Sequence, residues 1–209
     1  MHKELRYLGN INNIERFIQY LYSIGNCLNY KVSNFYLDDN LKQYSKICPN
    51  SPRFRVRLYE VEELCFGNIE LKYRSIENNY THKEVWNISD YWNNIVSLIP
   101  SLAEKQLRLP DNESTYRVLK SFSNPQKVLT FDNVRYIDTL IYHRLSCNWQ
   151  KSRITVDSCF SPLIVPESNI ILEWKGVHDE NVWQEIESYC VAESITELSK
   201  FTLLARLKK

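Results

Sequence analysis

The sequence predicts an α+β fold in which a dominant antiparallel β sheet curls into a barrel. Most of the chain alternates polar and apolar residues with the period of two that strands require, and several of these segments carry charge on one face. No linker or low-complexity stretch interrupts the pattern, and 209 residues match the size of one domain. We therefore expect a single domain over residues 1–209.

The first half of the chain predicts one helix and then a run of strands. After a short strand over residues 4–8, apolar residues recur at helical spacing, Asn12 or Asn13 can cap the helix, and Gly25 can end it. The helical positions are Ile14, Phe17, Ile18, Leu21 and Tyr22. The alternating segments that follow are 31–37, 53–61, 64–73 and 80–86. Their spacing predicts an antiparallel meander, with Gly67-Asn68 near one junction.

The second half predicts further strands between helices. A helical stretch over residues 90–106 is broken by Pro100, and residues 111–127 mix loop and strand signals. The later strands are predicted at 134–145, 153–159 and 169–174, and closing helices at 180–190 and 199–207. In the first closing helix one apolar face contains Val182, Trp183, Ile186 and Cys190.

Composition excludes several classes of protein. The 26 basic and 25 acidic residues leave a net charge of +1, which argues against a generally basic nucleic-acid surface and a stable nucleic-acid partner. Six cysteines without a Cys-x-x-Cys pair indicate reduced, mostly buried thiols. With four glycines, neither a P-loop nor a Rossmann fingerprint can be written. No run approaches the ~20 apolar residues of a membrane span, so we expect a cytoplasmic protein without membrane insertion.

Charged residues occupy one face of each of several strands. Arg53, Arg55 and Arg57 share a face because side chains two residues apart point the same way, and the other face is apolar. The same arrangement recurs in Glu4 and Arg6, in Glu70, Lys72 and Arg74, in Arg153, Thr155 and Asp157, and in Glu173 and Lys175. For a single strand, the simplest interpretation is a face that meets water. Repeated over five strands, the pattern instead favours a charged interior, if helices cover the apolar side of a closed sheet.

Such an interior needs a charged ligand, because an unpaired buried ion costs several kcal/mol. Arginine and lysine in excess fit an oligophosphate, since guanidinium groups bind phosphate oxygens bidentately. The interleaved glutamates fit Mg²⁺ or Mn²⁺, which take one or two carboxylates together with phosphate oxygens and water. The sequence thus predicts an enzyme or binding protein for phosphate chains.

Nine short motifs occur in the order of a known family. They are Glu4-Leu5-Arg6-Tyr7, Phe35-Tyr36-Leu37-Asp38-Asp39 with Tyr44, Arg55-Val56-Arg57, Glu70-Leu71-Lys72, Lys83, Tyr142-His143-Arg144, Arg153-Ile154-Thr155-Val156-Asp157, Leu172-Glu173-Trp174-Lys175 and Ser199-Lys200-Phe201. Each motif alone is weak, but together they span nearly the whole chain. The chain resembles the VTC-like, polyphosphate-polymerase domain of the triphosphate tunnel metalloenzyme (CYTH-like) superfamily.

The resemblance implies an eight-stranded antiparallel tunnel covered by helices, in which a phosphoryl group of ATP is transferred to a growing polyphosphate chain with Mn²⁺ or Mg²⁺. The catalytic residues it implies are Arg55, Arg57, Lys72, Arg144 and Lys200, and the further phosphate-binding residues are Arg6, Lys83, Arg153 and Lys175. Glu173 is the first candidate for a metal ligand, followed by Glu70 and Glu4.

Some assignments stay open. A strand shifted by one residue would put His82 in place of Lys83, or Lys151 in place of Arg153. Asp157 fits a hydrogen bond at a strand end as well as a metal ligand. His143 faces away from Tyr142 and Arg144, which favours a packing role.

Two other functions remain possible by the same resemblance. The triphosphatases of the superfamily open with Glu-x-Glu-x-Lys, and His2 stands where the first of these glutamates would be, which favours the polymerase over a hydrolase acting on tripolyphosphate, a nucleotide or an RNA 5′ end. A non-catalytic polyphosphate or nucleotide sensor would lack part of the basic or acidic set. Since fungal polymerase subunits also carry sensing and membrane segments, we expect any such partner to be a separate chain.

Overall fold

The computed structural model describes residues 3–39, 53–74, 81–108, 129–161, 169–177 and 179–191. The chain forms two compact units, one of residues 1–31 with 141–209 and one of residues 32–140. The predicted mixed segment 111–127 and the predicted helix 199–207 lie outside the described residues. A single domain over the whole chain stays a prediction.

The architecture is α+β with antiparallel strands, as predicted. The strands are β1 (Lys3–Ile11), β2 (Asn26–Asp39), β3 (Arg53–Val61), β4 (Leu64–Arg74), β5 (Thr81–Asn87), β6 (Val134–Trp149), β7 (Ser152–Ser161), β8 (Asn169–Gly176) and the two-residue β9 (Cys190–Val191). The helices are α1 (Ile14–Ile24), α2 (Trp92–Leu98) and α3 (Glu180–Tyr189), with single 3₁₀ turns at Ile88–Tyr91 and Pro100–Leu102. Eight long strands are therefore present within the described residues.

In the unit of residues 1–31 and 141–209, the strands follow the order β6-β7-β8-β1-β9. Helices α1 and α3 cover the apolar face, where Phe17 and Leu21 of α1 and Ile186 of α3 are fully buried with Trp174 of β8. Asn13 caps α1, because its side chain accepts a hydrogen bond from the Arg16 N–H at 3.2 Å. The polar residues of β7 and β8 lie on the face away from these helices.

In the unit of residues 32–140, the order is β5-β4-β3-β2, and the apolar faces of these strands form a second core. Val56 and Leu58 of β3 pack with Ile69 of β4 and Ile95 of α2, and all four are fully buried. Because side chains alternate along β3 and β4, Arg55, Arg57, Glu70 and Lys72 lie on the other face, whereas Glu60 near the end of β3 is on the apolar side. Each unit thus has helices on one side of its strands and charge on the other.

The structure corrects two details. The β3–β4 turn is formed by Glu62 and Glu63, with Glu62 at a φ of 52°, whereas Gly67 and Asn68 lie inside β4. A Cβ at Gly67 would collide with the backbone carbonyl oxygen of Arg57, so this glycine serves the close approach of two strands rather than a turn. Cys190, predicted to belong to the closing helix, follows α3 and pairs with Ile11 as β9.

Two further expectations concern the cysteines and membrane-spanning helices. The five cysteines in the described part are free thiols, and of these Cys65 and Cys147 are buried and Cys159 is exposed. None of the helices within the described ranges combines the length and the apolar character needed to cross a bilayer.

Candidate functional site

Strand register gathers the charged residues of the unit of residues 32–140. Arg55 of β3 pairs directly with Glu70 of β4, and Lys72 of β4 pairs with both Arg53 and Lys83. Since paired residues of neighbouring strands lie on the same face, the alternation within each strand becomes a row of charges across three strands.

Glu70 is at the centre of this row. Its side chain is fully buried, and each of its two carboxylate oxygens accepts cationic donors. Arg55 Nε and Nη2 donate to Oε2 at 2.8 and 2.5 Å. Arg57 Nη1 and Lys83 Nζ lie 3.3 and 2.9 Å from Oε1. Three cations therefore surround one carboxylate, and we call Arg55, Arg57, Glu70 and Lys83 the Glu70 cluster.

Charge and burial act against each other in the Glu70 cluster. Burial by itself would raise the pKa of Glu70, but Arg55, Arg57 and Lys83 outweigh it and hold that pKa well below its usual range. For Lys83, burial lowers the pKa and the two arginines add to this effect, while Glu70 opposes it. With Lys83 protonated the cluster carries more positive than negative charge, so its arrangement suits an anion.

Asn34 of β2 holds Arg57 from a second side, and this residue was not singled out from the sequence. Arg57 Nε donates to Asn34 Oδ1 at 2.8 Å, and Asn34 is 1% exposed. Its Nδ2, like Oδ1 of the buried Asn68 opposite Arg57, is buried without a hydrogen-bond partner in the described part of the chain. The available signal was that Asn34 shares a strand face with Tyr36 and Asp38 of the predicted motif.

The other unit contains a second buried ion pair. Arg144 Nε and Nη2 donate to Asp157 Oδ1 and Oδ2 at 2.6 and 2.8 Å, and both residues are buried. Arg144 also lies 5.4 Å from the centre of the Tyr142 ring. Burial would lower the pKa of Arg144, but Asp157 keeps it well above the usual value. Of the two roles left open for Asp157, this geometry fits the hydrogen-bonded one.

Polar side chains of β7 and β8 form a further group in the same unit. Glu173 is 5% exposed, and Lys175 Nζ lies 3.6 Å from its Oε2. Register places Thr155 opposite Glu173 and Arg153 opposite Lys175. Thr155 Oγ1 is buried and has no hydrogen-bond partner among the residues that the structure describes. Buried polar atoms of this kind are expected where a ligand completes a site.

The described carboxylates differ in how well they fit a divalent cation. Among the described residues, no three His, Cys, Asp or Glu side chains come together as a metal cluster. Mg²⁺ and Mn²⁺ do not require one, because phosphate oxygens and water supply most of their ligands. Glu173 fits this role beside the unpartnered Thr155 hydroxyl, whereas both oxygens of Glu70 are already bound by cations.

The remaining predicted residues are placed as follows. Lys83 contacts Glu70, and Arg153 lies in β7 while Lys151 is in the exposed β6–β7 turn, so the unshifted register holds at both positions. His143 is exposed. The backbone register pairs Glu4 with Lys175 and Arg6 with Glu173, but the side chains of Glu4 and Arg6 are not described, and Lys200 lies outside the described residues. All of these functional assignments stay predictions.

The fold is similar to several solved structures. One is a protein from Pyrococcus horikoshii, with a TM-score of 0.55 and 11% identity over 99% of both chains. A second is a provisional adenylyl cyclase from Hippeastrum, described as having a dominant triphosphatase activity, with a TM-score of 0.55 and 13% identity over 99% of this chain and 96% of that one. A third is a provisional adenylate cyclase from Bacillus halodurans, with a TM-score of 0.51 and 16% identity over 97% of both chains.

The chain shares the fold of these solved structures. At identities of 11–16% this likeness establishes fold alone. No family model matches the sequence, and no curated protein matches it either. Membership of the CYTH-like superfamily and of its polyphosphate-polymerase branch is therefore a matter for proposal.

Proposed function

We propose that the chain is a metal-dependent phosphotransferase that moves the terminal phosphoryl group of ATP onto a growing inorganic polyphosphate chain. The observation that carries the proposal is the Glu70 cluster, in which three cations converge on one fully buried carboxylate. Such an excess of buried positive charge is expensive in a folded protein unless an anion offsets it, and a phosphate chain is the anion that arginine and lysine together fit best. The reaction would take place in the cytoplasm.

The side chains would act by position and charge. Phosphoryl transfer requires few covalent steps that involve the protein itself. Most of the catalysis therefore comes from groups that position the phosphates and stabilise the charge of the transition state. Arg55, Arg57 and Lys83, which all contact Glu70, would bind phosphate oxygens, and Lys175 lies 3.6 Å from Glu173. Glu173 would hold the Mg²⁺ or Mn²⁺ ion, which supplies Lewis-acid stabilisation of the phosphate oxygens.

A triphosphatase is the second candidate. The similar Hippeastrum protein, described as having a dominant triphosphatase activity, favours it. The same basic residues could hold the substrate in either reaction, and the two differ in whether water or a phosphate chain attacks the terminal phosphorus. The acceptor therefore has to be determined by product analysis.

The test is to incubate the purified chain with ATP and Mn²⁺ or Mg²⁺ and to separate long polyphosphate from free phosphate. We expect long chains, and a loss of at least ~100-fold in rate for Glu173→Gln and for the double variant Arg55→Ala/Arg57→Ala. Arg135→Ala is the matched control, because Arg135 is an exposed arginine of β6. Free phosphate alone would indicate the triphosphatase, and tripolyphosphate binding without turnover would indicate a sensor.

A further inference from the structure

We propose that Glu70 is a positioning residue, whose carboxylate orients Arg55, Arg57 and Lys83 toward the phosphates, rather than a ligand of the metal ion. This inference rests on the proposed function and assigns a role within the same site. It differs from the expectation that the family resemblance raised for Glu70, and three features of the structure support it.

The first feature is that the carboxylate is fully engaged. Oε2 accepts two N–H groups of Arg55, and Oε1 lies within 3.3 Å of both Arg57 and Lys83. With the side chain fully buried, water cannot easily replace any of these donors. A metal ion at Glu70 would have to displace one of them.

The second feature is the way the two arginines are held. Arg55 presents its Nε and Nη2 edge to one carboxylate oxygen, and Arg57 is held by Glu70 at Nη1 and by Asn34 at Nε. A guanidinium group at the end of a flexible side chain loses considerable entropy when it is fixed. Here that ordering is complete before a ligand arrives, which is the condition for effective electrostatic catalysis.

The third feature is charge. A divalent cation bound to Glu70 would lie within a few ångströms of three positive groups, and such repulsion is strong in a buried site. Repulsion by these three groups therefore disfavours a metal ion at Glu70.

The test compares wild type with Glu70→Gln and Glu70→Asp in two assays. One is calorimetric binding of tripolyphosphate in the presence of a chelator, and the other is ATP turnover as a function of Mn²⁺ concentration. The matched control is Glu60→Gln, because Glu60 belongs to the neighbouring strand β3 and forms an ion pair with Lys105 at 2.7 Å on the face opposite to Arg55 and Arg57.

For Glu70→Gln we expect metal-free tripolyphosphate to bind about tenfold more tightly, because the ligand becomes the counter-ion that the three cations have lost. We expect kcat to fall about 100-fold, since the cations are no longer held in place, while the Mn²⁺ concentration for half-maximal rate stays within about twofold. Glu70→Asp keeps the charge but has a shorter reach, so its metal-free affinity should stay near wild type while its kcat falls.

Three results would overturn the role of Glu70. They are a tenfold or larger rise in the half-saturating Mn²⁺ concentration, full kcat in Glu70→Asp, and a loss of thermal stability in both variants without any change in kcat. If Glu70→Gln does not fold, Glu70→Asp and its kcat decide the question. A wild-type chain that fails to bind tripolyphosphate would contradict the proposed function itself, whereas variants that behave as wild type would contradict only the positioning role.

Discussion

At the scale of single residues, the partner of a charge determines what that charge can do. Arg55 and Arg144 look equivalent in the sequence, since each belongs to a short basic strand motif. In the structure Arg55 shares one carboxylate with two other cations, whereas Arg144 has the carboxylate of Asp157 in a bidentate pair. Arg144 is therefore better placed to stabilise its unit than Arg55 is.

Breaking the Arg144–Asp157 pair should be costly. Asp157→Asn leaves a buried guanidinium without its counter-ion, and we expect the free energy of unfolding to fall by about 3 kcal/mol. The double variant Arg144→Leu/Asp157→Leu removes both charges and should recover a large part of this loss. Urea unfolding measures both values. The control is Lys105→Ala, which breaks a more exposed ion pair and should lower the free energy of unfolding by less than ~1 kcal/mol. If both variants lose the same free energy of unfolding, burial does not make the Arg144–Asp157 pair more important for stability.

Glu70 should make stability depend on pH in the acid range. Because its folded pKa lies well below its usual value, its contribution is present above the unfolded pKa of about 4.3 and is lost as pH falls toward the folded pKa. The stability difference between wild type and Glu70→Gln should therefore be largest near neutral pH and shrink below about pH 4. Denaturant unfolding at several pH values measures it. Glu63→Gln, in the exposed β3–β4 turn, is the control, and a difference that does not change with pH would contradict the prediction.

At the scale of secondary-structure elements, strand register assembles the Glu70 cluster. The alternation of β3 puts Arg55 and Arg57 on one face, but only the pairing of Arg55 with Glu70 and of Lys72 with Lys83 makes the three strands contribute to one cluster. Gly67 permits the close approach of β3 and β4 beside Arg57.

Substitution of Gly67 should therefore disturb the register. A Cβ at this position meets the rigid backbone of Arg57, and we expect Gly67→Ala to lower the free energy of unfolding by about 2 kcal/mol. Gly9→Ala is the matched control, since the nearest atoms that the added Cβ would meet there belong to the Tyr7 side chain and not to the backbone. Thermal unfolding compares the two variants. Equal losses would mean that contact with the Arg57 backbone is not what requires glycine.

At the scale of the whole molecule, both units follow one plan, with apolar strand faces under helices and charged residues on the other face. Glu70, Arg144, Asp157 and Glu173 are all at most 8% exposed, so a large amount of charge is buried in the protein without ligand. Buried charge that is adapted to a ligand makes stability depend on that ligand.

Tripolyphosphate should accordingly stabilise the fold. At 100 times its dissociation constant a ligand adds about 2.7 kcal/mol, which corresponds to a rise in Tm of roughly 5–10 °C for a chain of this size. Thermal unfolding with tripolyphosphate, and with sulfate at equal ionic strength as the control, measures the effect. An equal rise with sulfate would show that the stabilisation comes from general screening of charge.

The sequence by itself determined the class of fold and most of its elements. Period-two alternation located β3 and β4 almost to the residue, and the apolar spacing and Asn13 located α1, because these signals are local and survive without tertiary contacts. Local signals failed at Gly67, where a glycine that looks like a turn residue serves the packing of two strands, and at Cys190, where pairing with β1 ends the helical pattern.

Only the tertiary structure decided which charges meet. Sequence alternation could place Glu70, Arg55 and Lys83 on strand faces, but the distances that make Glu70 the common partner of three cations depend on pairing between strands distant in sequence. The same holds for Asn34, whose amide contacts Arg57 23 residues away, and for Asp157, whose two possible roles looked equal until its contact with Arg144 was seen. The chemistry of a charged residue depends on the groups that it contacts, and local sequence patterns do not identify those contacts.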